Sequence, residues 1–145
     1  MNEILRFGEF PEKFVSEATL DEFMTRPSQD LVDDLATLDG DIMVLGVGGK
    51  MGPTLARLAK RAAPNKRVIG VARFSETGLF DKLQSHNVEP IKCDLLDKDG
   101  VALLPDIKNI IFMAGRKFGS TGAEDMTWAM NVHAPAIVAE RFRTS

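Results

Sequence analysis

Four glycines, Gly46, Gly48, Gly49 and Gly52, fall within seven residues of this chain, between the apolar run Ile42 to Leu45 and a helix-patterned stretch from Met51 to Ala63. Each glycine in regular structure costs about 1 kcal/mol relative to alanine, so a cluster of this density implies a compensating use. The use that fits a strand-to-helix turn is phosphate recognition. Bare backbone can approach a pyrophosphate there, and the first turn of the helix supplies aligned amide donors. The spacing contains Gly-x-Gly and also Gly46-x-x-Gly49-x-x-Gly52. On the dinucleotide template Gly46 permits the tight exit from the strand, Gly49 the approach to phosphate and Gly52 the contact of helix with sheet. The plain alternative is a strand-to-helix loop that binds nothing.

The Gly49-Lys50 pair invites comparison with a phosphate-binding P-loop, and that template fails at two positions. Val44 stands where its first glycine belongs, and Met51 where Ser or Thr must reach magnesium. Lys50 then reads either as a cation at the mouth of a dinucleotide turn or as an exposed lysine at a helix start. The end of the second strand of such a unit chooses between cofactors: an acid there bonds both ribose hydroxyls, whereas arginine pairs with a 2′-phosphate. In Val68-Ile69-Gly70-Val71-Ala72-Arg73-Phe74 the position is basic, and the first acid, Glu76, lies beyond it. Arg73 tilts the expectation to NADP, with NAD the alternative should Glu76 swing in.

Elements must exist to position these residues, and the composition permits them. The chain has 145 residues, 44% hydrophobic and 27% charged, which is the profile of one ordinary globular domain. No apolar run approaches the roughly 20 residues of a membrane span, and the start, Met1 to Arg6, lacks the order of a secretion signal. A cytoplasmic location is expected by default. A net charge of -3 with dispersed basic residues argues against nucleic acid as a partner. Cys93 is the single cysteine, so an inert buried thiol is expected, and His86 and His133 have no partners at metal-ligand spacing.

Residues 1–40 carry acidic helical segments and no β-type run, and are expected to form an N-terminal helical extension. Ser16 opens one helix that Pro27 terminates, and Ser28 caps a second that Gly40 closes. From Asp41 the pattern changes. Four apolar runs, Ile42 to Leu45, Val68 to Ala72, Pro90 to Cys93 and Ile107 to Met113, alternate with helix-patterned stretches at about 51–63, 75–85, 97–104 and 123–142. That alternation is the βαβ signature of a parallel sheet.

With these segments in place, residues 41–143 resemble the N-terminal half of the NAD-dependent epimerase/dehydratase family, the extended short-chain dehydrogenase/reductases. Gly46-Val47-Gly48-Gly49-Lys50-Met51-Gly52 is similar to its glycine turn. Cys93-Asp94-Leu95-Leu96-Asp97 resembles the Asp-Leu pair after its third strand, where the aspartate and the next amide meet the adenine. Ile110 to Gly115 resembles the fourth strand, whose terminal small residues, here Ala114 and Gly115, let cofactor lie over the sheet. Met130-Asn131-Val132 resembles the Asn-Val of the following long helix. The resemblance implies an α/β fold of Rossmann type, truncated to about four strands in order 3-2-1-4, over residues 41–145. It implies cofactor contacts at Gly46, Gly48, Gly49, Lys50, Met51, Gly52, Arg73, Asp94, Leu95, Ala114, Gly115 and Asn131. Taken without the resemblance, Asp94 caps a turn, Ala114 and Gly115 end a strand, and Asn131 is a helix-surface amide.

The departures matter as much. Catalysis in that family needs a Tyr-x-x-x-Lys pair, its tyrosine serving as general acid and base, and this chain has no tyrosine. The expectation is therefore an NAD(P)-binding portion of an epimerase, dehydratase or reductase, with no catalytic residue and no metal of its own, inactive alone. A small-molecule substrate enters only in a complete protein. The rival is a non-catalytic NAD(P)-sensing or scaffold module, which needs no tyrosine, and a methyltransferase-like nucleotide enzyme is a third option that the long glycine run disfavours. A sheet ending at its fourth strand would expose an unpaired edge, so a homo-oligomer formed through that edge is expected.

Overall fold

Strand β1 (Ile42–Leu45) is the reason the chain folds around its centre: all four of its residues are buried, with exposures of 2% or less. Such a segment must be covered on both faces, and burial of each apolar side chain contributes about 1.5–3 kcal/mol. The computed structural model describes residues 4–6, 8, 10–117, 119 and 121–145. Around β1 it places β2 (Val68–Ala72), β3 (Glu89–Lys92) and β4 (Asn109–Phe112) in one parallel sheet of order β3-β2-β1-β4. The register pairs Ile42 with Val68 on one side and with Asn109 on the other. This is the expected truncated Rossmann-type arrangement.

Alternation along the strands divides the core in two. Ile42 and Val44 join Val68 and Val47 beneath helices α3 (Gly52–Ala62) and α4 (Leu79–Ser85). Met43 and Leu45 join Ile69 and Val71 on the opposite face, against α5 (Lys98–Ala102) and α7 (Ala134–Arg141). The core-facing side of α3 is Gly52, Ala56, Ala59 and Ala62, small residues that let the helix lie close to the sheet.

The N-terminal residues form α1 (Glu17–Met24) and α2 (Gln29–Thr37). Ser16 caps α1 through a capping box with Thr19, and the Ser28 hydroxyl accepts from the Leu31 amide at the start of α2, as the sequence predicts. Residues 1–3, 7 and 9 of the expected extension lie outside the described residues. Glu22 on α1 pairs with both Arg57 and Arg61 of α3, the latter at 2.8 Å, and Arg61 also donates to the buried Thr25 hydroxyl at 2.9 Å. Burial pushes the Glu22 carboxyl up, but the hydrogen bond and charge of Arg61 and the charge of Arg57 outweigh it, leaving it below its usual range. Asp21 pairs with Lys82 of α4 at 3.0 Å, so α1 touches both helices of that face.

Four expectations need correction. The third strand, expected at Pro90 to Cys93, is Glu89–Lys92. The helix placed at 75–85 begins only at Leu79, because Phe74 (φ 50) and Gly78 (φ 86) are left-handed and the residues between them cannot enter a helix. The fourth strand is Asn109–Phe112 rather than 107–113. The helix expected at 123–142 is not continuous. It runs as α6 (Glu124–Trp128), a π-helical turn (Ala129–His133) and α7, and the Ala134 amide bonds the Ala129 carbonyl five residues back. Pro135 explains the interruption: it has no N–H to give the Asn131 carbonyl, and its ring crowds that carbonyl.

Candidate dinucleotide-binding cleft

The loops that leave the four strands meet at one end of the sheet, and backbone hydrogen bonds stitch them together. The amides of Gly46 and Val47 both donate to the Val71 carbonyl, at 2.9 and 3.0 Å. The Cys93 amide donates to Ala72 at 3.0 Å and the Met113 amide to Leu45 at 2.8 Å. Above this rim lies a cavity of about 260 Å³. Its lining takes residues from all four strand ends, among them Gly46, Gly49, Arg73, Asp94 and Ala114. Since β2 and β4 leave β1 on opposite sides, the cavity sits where the strand order reverses, the usual ligand position in an open parallel sheet.

The glycines differ in what holds them glycine. Gly46 has φ 85, and a Cβ on it would come within 2.6 Å of the Ala114 nitrogen, so this residue both turns the chain and admits the exit of β4. A Cβ on Gly52 would lie 2.3 Å from the Val47 carbonyl oxygen, which forces the start of α3 against the loop leaving β1. Gly49 is different. It is exposed, it lines the cavity, and a Cβ there would meet only the Gly46 carbonyl oxygen at 3.6 Å. Among the described residues nothing requires glycine at 49.

Of the residues singled out in the sequence, Gly46, Gly48, Gly49, Arg73, Asp94, Leu95, Ala114 and Gly115 line the cavity together. Lys50 lines an adjoining groove of about 510 Å³, which shares Gly48, Gly49, Glu76 and Leu79 with the cavity. Met51 is exposed at the first turn of α3 and Gly52 is buried beneath Val47. Asn131 stands outside the cavity lining. Its amide clasps the backbone of one residue: Oδ1 accepts from the Arg116 N–H at 2.7 Å and Nδ2 donates to the Arg116 carbonyl at 2.8 Å, which fixes the loop after β4. The Asp94 carboxylate accepts from the Leu96 amide at 3.0 Å, a turn cap that leaves the residue exposed on the cavity wall.

Solved structures share this architecture. One is UDP-glucose-4-epimerase from Stenotrophomonas maltophila, with bound NAD and formylated UDP-arabinopyranose, at TM-score 0.59 and 14% identity, covering 72% of this chain and 34% of that one. L-threonine dehydrogenase from Clostridium difficile follows at TM-score 0.58 and 19% identity, covering 70% and 32%. The chain has their Rossmann-type fold. A protein from Burkholderia cenocepacia J2315 proposed to be an epimerase matches at TM-score 0.52 and 18% identity, over 71% and 32%. The chain thus spans about a third of the length of these structures. No family model and no curated protein matches the sequence.

The cavity wall also takes in residues that were not expected among the cofactor contacts. Phe74, Met113 and Met130 line it, as does Cys93, whose thiol is pushed above its usual range by burial and then by Asp97 and Asp94. Gly70 is a signal that points to this packing. It interrupts the β2 run because Val47, in the glycine turn, sets its methyls 3.0 and 3.1 Å from where a Cβ would stand. Among the described residues no helix is long and apolar enough to cross a membrane, and no group of three or more His, Cys, Asp and Glu is placed to hold a metal.

Proposed function

We propose that the cleft holds a nicotinamide dinucleotide, and that the chain is the cofactor-holding portion of an epimerase-, dehydratase- or reductase-like protein. The observation that carries this reading is Gly49. A side chain there would make only one ordinary contact among the described residues, and its absence leaves open backbone on the cavity wall in the turn just before an eleven-residue helix. The pyrophosphate lies along Gly48 and Gly49 with Lys50 at its edge, the adenine meets Asp94 and the Leu95 amide, and the nicotinamide end lies over Ala114 and Gly115. When bound, the cofactor supplies hydride exchange; this chain orients it and excludes water from one face. Arg73 beside the ribose favours NADP, because a guanidinium pairs with the 2′-phosphate. Substrate and proton transfer belong to a complete protein, since no tyrosine is present in these 145 residues.

The absence of tyrosine is also what favours a second reading, a non-catalytic NAD(P)-sensing or scaffold module. Both readings predict that the melting temperature of the chain rises with NADP, less with NAD, and not with S-adenosylmethionine. A ligand at a hundred times its Kd stabilises the native state by about 2.7 kcal/mol. A rise with S-adenosylmethionine alone would overturn both.

The sheet edge completes the proposal. Edge strand β3 carries Glu89, Pro90 and Lys92, which discourage pairing, whereas the other edge strand, β4, is Asn109-Ile110-Ile111-Phe112 with Ile111 exposed. Trp128 and Val132, one helical turn apart, are exposed as well. The chain self-associates through the β4 edge. Sedimentation at high concentration is expected to show a dimer that Ile111→Lys dissociates, and a clean monomer would contradict it.

A further inference from the structure

The loop that joins β2 to α4 begins and ends in left-handed backbone, at Phe74 (φ 50) and Gly78 (φ 86). Glycine adopts that conformation freely, but a bulky aromatic does so only when its surroundings compel it. Phe74 packs on one side against the core cluster beneath α3 and α4, and its aromatic partner is Phe80 on α4. The two rings meet edge to face, with centroids 5.2 Å apart and planes at 74°. The pair ties the two ends of the loop together, and between them stand Ser75 and Glu76, which line the cavity with Arg73 and Phe74. Phe80 is absent from the cavity wall and is 38% exposed, so neither the core nor the ligand accounts for an aromatic residue there.

We infer that Phe80 is a positioning residue for the adenosine end of the ligand: its ring holds Phe74 in the left-handed conformation, and so fixes the Phe74 wall and the placement of Arg73 and Glu76. This rests on the dinucleotide reading of the cleft. Without the Phe80 ring, Phe74 relaxes to ordinary backbone, the wall is lost and Arg73 no longer points to one place. The basic and acidic side chains then compete for the ribose without a fixed geometry, which reduces the preference for a 2′-phosphate as well as affinity.

The test is titration of the full chain with NADP and with NAD. Phe80→Ala is expected to weaken NADP binding by about three- to tenfold and to narrow the NADP-to-NAD ratio, while the ligand-free melting temperature moves by only a few degrees. Phe80→Leu, which keeps apolar volume but not the ring edge, carries the same expectation and serves where the alanine variant does not fold. Phe80→Tyr, which keeps the edge contact, binds like the wild type. In a Phe74→Gly background, where the backbone needs no holding, Phe80→Ala has no further effect on binding. Unchanged NADP affinity in Phe80→Ala and Phe80→Leu would overturn the inference, as would an equal effect of Phe80→Ala in both backgrounds. Wild-type chain that binds neither dinucleotide removes the reading of the cleft itself, whereas wild-type binding with indifferent Phe80 variants removes only the role of Phe80.

Discussion

Gly52→Ala is expected to be the most damaging single substitution in the chain. The new Cβ would lie 2.3, 2.6 and 2.7 Å from the carbonyl oxygen, carbonyl carbon and Cα of Val47, all backbone atoms that cannot rotate away. Relief requires α3 to withdraw from β1, and α3 presents only small residues, Ala56, Ala59 and Ala62, to a core that fits them closely. A cost of about 3 kcal/mol or more follows, a large fraction of the roughly 5–15 kcal/mol that holds a domain folded. In a chain of this size that is a fall in melting temperature of about 10 °C. Gly46→Ala is expected to approach it, since it adds about 1–2 kcal/mol for left-handed backbone to a collision with Ala114. Thermal melts of the two variants against the wild type check this, and near-wild-type stability for Gly52→Ala would contradict the packing described.

Gly49→Ala should do the reverse. A methyl at 49 makes only an ordinary contact, 3.6 Å from the Gly46 carbonyl oxygen, so the ligand-free melting temperature is expected to stay within a degree or two of the wild type. A pyrophosphate lying against that backbone meets the methyl directly. Overpacking a close contact by one carbon costs about 1–3 kcal/mol, which is roughly a five- to 150-fold loss in dinucleotide affinity. The opposed outcomes at positions 49 and 52 separate a glycine kept for the ligand from one kept for the fold. Equal binding by Gly49→Ala and wild type would place the phosphates elsewhere.

The sequence was most informative where burial on both faces leaves no choice. Strands β1 and β2 lie at Ile42–Leu45 and Val68–Ala72, where the sequence runs put them. The edge strands were read less sharply: β3 is offset by one residue, and β4 is shorter than its apolar run because Ile107 and Met113 flank it in the loops. The glycine turn was legible because steric demands at Gly46 and Gly52 leave a mark in composition. Phe74 was not, since a left-handed phenylalanine has no sequence signature. The role of Asn131 in holding the Arg116 backbone was hidden for a similar reason: a side chain that bonds backbone fifteen residues away reads in sequence as any surface amide. The π-helical turn carried a visible sign in Pro135, one that apolar periodicity over 123–142 overrides.

The central claim is that this cleft binds a nicotinamide dinucleotide, and calorimetric titration of the full wild-type chain with NADP and NAD tests it most directly. Saturable binding of one dinucleotide per chain, tighter for NADP than for NAD and weakened by Gly49→Ala, is the predicted result. Folded chain that takes up no heat with either dinucleotide at millimolar concentration, and whose melting temperature neither raises, would contradict it.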